Sequence, residues 1–357
     1  MFEIINRTPF VVSLIPGLGK DDVAHMTVLA KGTFSIPIPP GPPRIAEQQI
    51  PFWPGDEWNG PEPATSSVRF ESDACPTKPG TDVVLVGHAY AGARRQATVD
   101  VGLRVGKLQK VVRVTGDRIW TRAAFAWVMS SPPVAFERLP LVYERAFGGV
   151  DARSDRPDRD WDWRNPVGTG FAVSSSHLSG VHLPNIEYPD DIVTAWNDRP
   201  QPAGFGPIGS HWQPRAGLAG TYDDNWMNTR HPLLPADFDE RFFQCAAQDQ
   251  QAPAFLRGGE PVVLHRLTPE GDLRFVLPRI FLGFDTRFYD GSREIHKARR
   301  LHSVILEPDY PRVSLVWHTA LACHFKVQKL ERTIVTLKAR LTDGSAEDDG
   351  SVEDARA

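Results

Sequence analysis

Residues 97–114 read ATVDVGLRVGKLQKVVRV, and this stretch decides the fold class. Val99, Val101, Leu103 and Val105 alternate with Thr98, Asp100, Gly102 and Arg104. That strict period of two puts one face of a strand in a core and the other in water. Gly106-Lys107 then offers a two-residue turn into residues 108–114, so the spacing predicts an antiparallel hairpin.

The same reading extends outward in both directions. Upstream, residues 10–15 and 23–38 are β-rich, the second running through Lys31-Gly32-Thr33-Phe34. Residues 37–63 carry nine prolines with Trp53 and Trp58, a density that neither a helix nor an inner strand tolerates, so an irregular surface-hugging loop is expected. Strands resume at Thr81, and residues 116–120 begin another. Downstream, residues 261–267 and 273–277 form a second hairpin about Pro269-Glu270-Gly271-Asp272. Strands follow at 279–288, 302–307 and 313–326. Residues 328–341 fit both a helical and a strand spacing; their β-branched content favours a strand.

Between these regions, residues 148–259 hold 11 prolines, 12 glycines and five of the ten tryptophans, with few periodic runs. A structureless loop of that length is improbable inside a compact domain, so aromatic side chains are expected to pin it as a cover over the sheets. One helix is expected in it, starting at Pro235-Ala236-Asp237, with Asp237 and Glu240 at capping-box spacing. The resulting expectation is a mainly β protein. It has antiparallel, sandwich-like sheets in residues 1–147 and 260–341, a Pro/Gly/Trp-rich cover in 148–259 with one or two short helices, and a disordered acidic tail in 342–357. The first three regions together make one compact unit.

Composition excludes several function classes. The formal charge of the 357 residues is −4, and the tail alone contributes −5, leaving the body near neutral. A near-neutral body lacks the electrostatic footprint of a non-specific nucleic-acid binder. Cys75, Cys245 and Cys323 lie far apart without C-x-x-C spacing, against both a zinc knuckle and a disulfide framework, so a reducing cytoplasm is expected. Neither a secretory signal nor a membrane-spanning apolar run is evident.

The nucleophile-elbow, H-E-x-x-H and phosphate-loop patterns are missing. His318 and His324 share a strand face roughly 20 Å apart at ~3.3 Å per residue, with Cys323 on the other face, so they cannot share an ion. His177 and His182 lie in one loop, but no third ligand is named. Asp223-Asp224 and Asp237 with Asp239 are the paired carboxylates a glycosidase would need, with Trp212 and Trp226 for sugar stacking; turn and cap roles suit the same residues. Arg145, Arg164 and Arg215 sit among aromatics and glycines, where a partner-binding clamp and internal bridges would use the same guanidinium groups.

Several segments in order carry a family resemblance. They are residues 6–10 (NRTPF), 31–34 (KGTF), Ser72-Asp73 with 78–82 (KPGTD), 116–120 (GDRIW), 139–149 (LPLVYERAFGG), 164–168 (RNPVG), 183–187 (LPNIE) and the block from Trp212 through 219–222 (AGTY) and Trp226 to Phe243. Taken together, these resemble the bacterial domain of unknown function 2169 family (DUF2169), associated with type VI secretion, over nearly the whole chain to about Leu341. The resemblance implies a non-enzymatic cytoplasmic adaptor or chaperone that helps load an effector, or its PAAR-type spike-tip domain, for delivery. It carries over no catalytic residue, and no cofactor or metal is expected; the near-neutral charge and the lack of a spanning apolar run lead to an expectation of no nucleic-acid or membrane partner. Arg145, Arg164, Asn165, Asn185, Trp212, Arg215, Tyr222 and Trp226 are the candidate partner-binding residues. The alternatives are a carbohydrate- or peptide-acting hydrolase using the paired carboxylates, and a lectin-like binding module.

Overall fold

In a computed structural model, which describes residues 2–18, 23–39, 41–122, 128–298, 300–323 and 328–340, the hairpin forms as its alternation requires. The expected tail and His324 lie outside the described residues. Thr98–Val105 pairs antiparallel with Leu108–Thr115, Val105 facing Leu108 across a turn in which Gly106 takes φ 58°. A positive φ is what such a tight turn demands, and glycine adopts it without steric cost. Val99, Val101, Leu103 and Val105 are buried and Asp100 and Arg104 exposed.

This hairpin is the centre of a five-stranded sheet, in the order Ile186–Glu187, Leu108–Thr115, Thr98–Val105, Pro261–Thr268, Gly271–Val276. A second sheet runs Val11–Leu18, Ala24–Ser35, Arg312–Ala322, Leu301–Glu307, Asp82–Leu85, with Arg44–Ile45 paired beside Ala24–Ser35. The third runs Glu3–Arg7, Leu330–Arg340, Ile280–Phe288, Arg293–Ala298. Pairing is antiparallel within these sheets except Glu3–Arg7 on Leu330–Arg340 and Leu301–Glu307 on Asp82–Leu85. One apolar core joins all three, with Ala30 and Phe34 from the second sheet meeting Val101 and Leu103 from the first and Leu282, Phe284 and Val335 from the third. The protein is mainly β, as the alternation leads one to expect. Residues 328–341 resolve to the strand Leu330–Arg340.

The central region packs over the sheets with little regular structure. Trp212 and Phe205 are fully buried, and Trp120, Phe147, Leu178 and Leu183 make a second apolar cluster beneath it. The helix expected at Pro235 is absent. A single 3-10 turn, Glu240–Phe243, stands there instead, capped by Asp239. The chain leaves that turn extended at Gln244 (φ −86°, ψ 120°), and the Cys245 N–H donates to Asp82 Oδ2 at 2.9 Å. That tertiary bond straightens the segment before a second helical turn can form. Asp237 accepts from Thr221 N and Oγ1. The α-helix lies earlier, at Asp224–Thr229, capped by Asp223, whose side chain accepts from Trp226 N. Among the described residues no helix is long and apolar enough to cross a membrane.

Gly148 opens the cover at φ 144°, where a Cβ would stand 2.2 Å from Asn165 O. Gly148→Ala should therefore lower stability by at least ~2 kcal/mol, since both backbone strain and a backbone clash must be relieved. A chemical-denaturation midpoint unchanged from wild type would contradict this.

Candidate functional site

Charge is concentrated in a layer that alternation alone would make apolar. Residues opposed across neighbouring strands share a sheet face. In the second sheet Lys31 opposes Val316, Thr33 opposes Ser314, and Ser303 stands beside Asp82. This face turns away from the apolar core and is roofed by residues 49–78 and by the cover. Thr33 and Ser314 share a 3.1 Å hydroxyl bond. Lys31 Nζ donates to Asp73 Oδ2 at 2.7 Å, with both side chains almost wholly buried. Burial pushes the Lys31 ammonium below its ordinary range, and Asp73 and Glu307 only partly offset this.

Lys78 is the hub of the layer. Its ammonium meets Asp82 Oδ2 at 2.6 Å, Ser303 Oγ at 3.2 Å and Glu71 Oε2 at 3.8 Å. Burial opposes that charge, but Asp82 and Glu71 outweigh it and hold the pKa well above the usual lysine range. Arg215 closes the network from the cover, donating to Phe242 O at 2.7 Å, Ile208 O at 2.8 Å and the Glu71 carboxylate. Burial raises Glu71, and Lys78 and Arg215 pull it back. His302 and His318 stack at 4.3 Å behind the network, and neither ring nitrogen of His318 has a hydrogen-bond partner among the described residues.

Glu71, Asp82 and Cys245 offer donor atoms within 4.8 Å of one another, the make-up of a small cation site. Their electrostatics do not fit one. Lys78 and Arg215 already neutralise both carboxylates, and burial raises Cys245 well above the usual thiol range, so a divalent ion would add charge to a balanced cluster. Phe70, Glu71, Lys78, Cys245 and His318 enclose about 20 Å³, room for one water-sized group and far less than a substrate. The layer therefore works as a strut that clamps the cover to the sheet. A third lysine does the same on the first sheet: Lys110, buried on the hairpin's apolar face, donates to Asp249 Oδ1 and Gln250 Oε1, each at 2.9 Å.

The candidate residues of the sequence reading divide sharply. Trp212, Asn165, Asn185 and Arg215 are buried. Asn165 Nδ2 donates to Tyr143 O and Phe147 O, and Asn185 Nδ2 to Thr115 O and Asp117 Oδ1. Arg145 joins Asp117 and Asn185 at 3.1 and 2.9 Å, and Arg164 pairs with Asp162 at 2.6 Å. These polar groups are spent on internal bridges. Tyr222 and Trp226 meet edge to face at 4.7 Å beside Met227, with Tyr222 and Met227 more than half exposed. Of the paired carboxylates, Asp223 caps the helix Asp224–Thr229, Asp239 caps the 3-10 turn Glu240–Phe243 and Asp237 holds Thr221. His177 Nδ1 meets Asp151 Oδ2 at 2.7 Å.

An open concavity lies elsewhere. Ala64, Val150, Pro157, Trp161, Pro166 and Val167 line a shallow groove of about 530 Å³. At its rim Trp161 stacks on Trp163 with ring centroids 4.3 Å apart, and Trp163 is 58% exposed. No signal in the sequence separated Trp163 from the buried Trp212, because both sit in the same loop-rich composition.

Fold and site together define a mainly β scaffold whose buried lysines are closed by internal ion pairs and which carries a shallow, largely apolar groove. The chain belongs to the DUF2169 family, described as "Uncharacterized protein conserved in bacteria", whose model matches residues 21–318. No curated protein and no solved structure matches the chain.

Proposed function

We propose that this chain is a non-enzymatic adaptor or chaperone that binds a type VI secretion effector, or its PAAR-type spike-tip domain, in the cytoplasm and aids its loading. One observation carries the reading: the cover exposes aromatic surface in Trp163 and Tyr222, as Tyr289 and Tyr310 do outside it, while the buried lysines are paired with carboxylates. Exposed Trp and Tyr on a rigid framework are the residue types that dominate binding hot spots. The test is co-expression with the product of a neighbouring effector or PAAR gene, followed by size-exclusion chromatography. Absence of both co-elution and a gain in cargo solubility would remove the main support.

Trp163→Ala should lower the unfolding free energy by no more than ~1 kcal/mol, because the ring is surface-borne and loses chiefly its stack on Trp161. It should weaken cargo binding tenfold or more, about 1.4 kcal/mol, if the Trp163 rim is the docking face. The stacked Trp161–Trp163 pair also suits a sugar ring, so a lectin-like module is the second reading. Glycan-array binding without turnover, together with cargo binding unchanged by Trp163→Ala, would favour it.

A further inference from the structure

Of the three buried lysines, Lys31 is held differently from the others. Lys78 is shared among Asp82, Glu71 and Ser303, and Lys110 between Asp249 and Gln250. The Lys31 nitrogen instead points at one carboxyl, that of Asp73, at 2.7 Å. That carboxyl is fixed from the other side, since Trp53 N donates to the same Oδ2 at 2.9 Å and Asp73 N donates back to Trp53 O at 2.8 Å. The Trp53 ring, stacked on Phe70 at 5.5 Å, lies 5.6 Å from the ammonium. An amine nitrogen so placed stands on the order of 3.5 Å from the carboxyl carbon, and from the hydrogen bond it must swing out of the carboxylate plane to reach Cγ.

We propose that Lys31 and Asp73 condense after folding into an intramolecular amide that ties the central strand Ala24–Ser35 to the loop carrying Asp73. A proton passes from Nζ to Oδ2 across the existing hydrogen bond, leaving a neutral amine and a neutral carboxylic acid. The nitrogen lone pair forms the N–Cγ bond. The Cγ–Oδ2 bond then breaks as Oδ2 takes a second proton from nitrogen and leaves as water, while Oδ1 becomes the amide oxygen. One ammonium and one carboxylate give one amide and one water, and neither an oxidant nor a cofactor is needed.

Two features of the site favour the reaction. The buried, aromatic-walled setting penalises the separated charges, and that penalty disappears when both are converted to a neutral amide. Burial has already lowered the proton affinity of Lys31, so the free amine is nearer to hand there than on a solvated lysine. This proposal is independent of the adaptor reading.

The test is the intact mass of the full chain, denatured after overnight incubation at neutral pH, followed by proteolytic mapping. The expected mass lies about 18 Da, one water, below that of the sequence, with a branched peptide joining the Lys31 and Asp73 segments. Lys31→Arg keeps the cation but cannot condense, so it should return the full sequence mass. Asp73→Asn should lose ammonia, about 17 Da, and reach the same cross-linked product as wild type. A wild-type chain at its sequence mass overturns the proposal, as does an 18 Da loss that maps to one linear peptide.

Discussion

On acidification from pH 6.5 to pH 5 the protein should lose about 3 kcal/mol of stability through two buried histidines, a loss ordinary surface titration would not produce. Burial drives the loss. It pushes His302 down to about 3 and His318 well below its ordinary value, and their stacking 4.3 Å apart adds mutual repulsion once either is charged. The folded pKa values lie below the unfolded value near 6.5, so the unfolded chain binds more protons in this window. Stability is therefore fully present above pH 6.5 and declines as pH falls toward 3. The slope is half of 1.36 kcal/mol per pH unit at pH 6.5, where the unfolded imidazole is half protonated, and approaches that value by pH 5, so each histidine contributes about 1.7 kcal/mol. Glu71 and Glu187, whose pKa values are raised by burial, act in the opposite direction. The histidine contribution is accordingly the difference between wild type and the double variant His302→Phe/His318→Leu. Urea-unfolding curves at pH 5, 6 and 7 should show a steep pH slope in wild type and a flattened one in the variant. Parallel slopes would show that the buried imidazoles do not control acid stability.

Lys78→Met should cost 3–5 kcal/mol at pH 7, or abolish soluble expression. Asp82 is completely buried, and its Oδ1 has no partner among the described residues. Removing the ammonium 2.6 Å from its Oδ2 would leave a carboxylate with no compensating contact but the Cys245 N–H. The second variant supplies the discriminating measurement. Lys78→Met/Asp82→Asn removes both charges yet keeps an oxygen to accept from Cys245, and it should recover to within ~1 kcal/mol of wild type. A double variant no better than the single one would mean that Lys78 acts through Glu71 or through packing, and not through Asp82.

Much of this architecture was legible locally. Residues 97–114 announced their hairpin because side-chain direction alternates along any strand, and Gly106 marked the turn. Among the strands that local reading does not reach, two are missed for opposite reasons. Arg293–Ala298 is exposed at four of its six residues and has no apolar rhythm, and is held as an edge by backbone bonds to Ile280–Phe288. Glu3–Arg7 exists as a strand because a partner more than 300 residues away, Leu330–Arg340, pairs with it in parallel. The helix expected at Pro235 met the capping rule but lost to the Cys245–Asp82 bond, a contact spanning 163 positions.

The buried charges mark the same boundary between what is local and what is not. Lys110 shares the inward parity of Leu108, Val112 and Val114, so the sequence alone determined that a cation enters the core there and needs an anion. That Asp249 answers it, that Asp73 answers Lys31, and that Trp212 is enclosed while Trp163 faces solvent were decided only by the tertiary structure. The physical reason is range. Alternation and turn chemistry act over a few residues of backbone, whereas the desolvation of a charge or an indole depends on chain that returns to it from dozens of residues away or more.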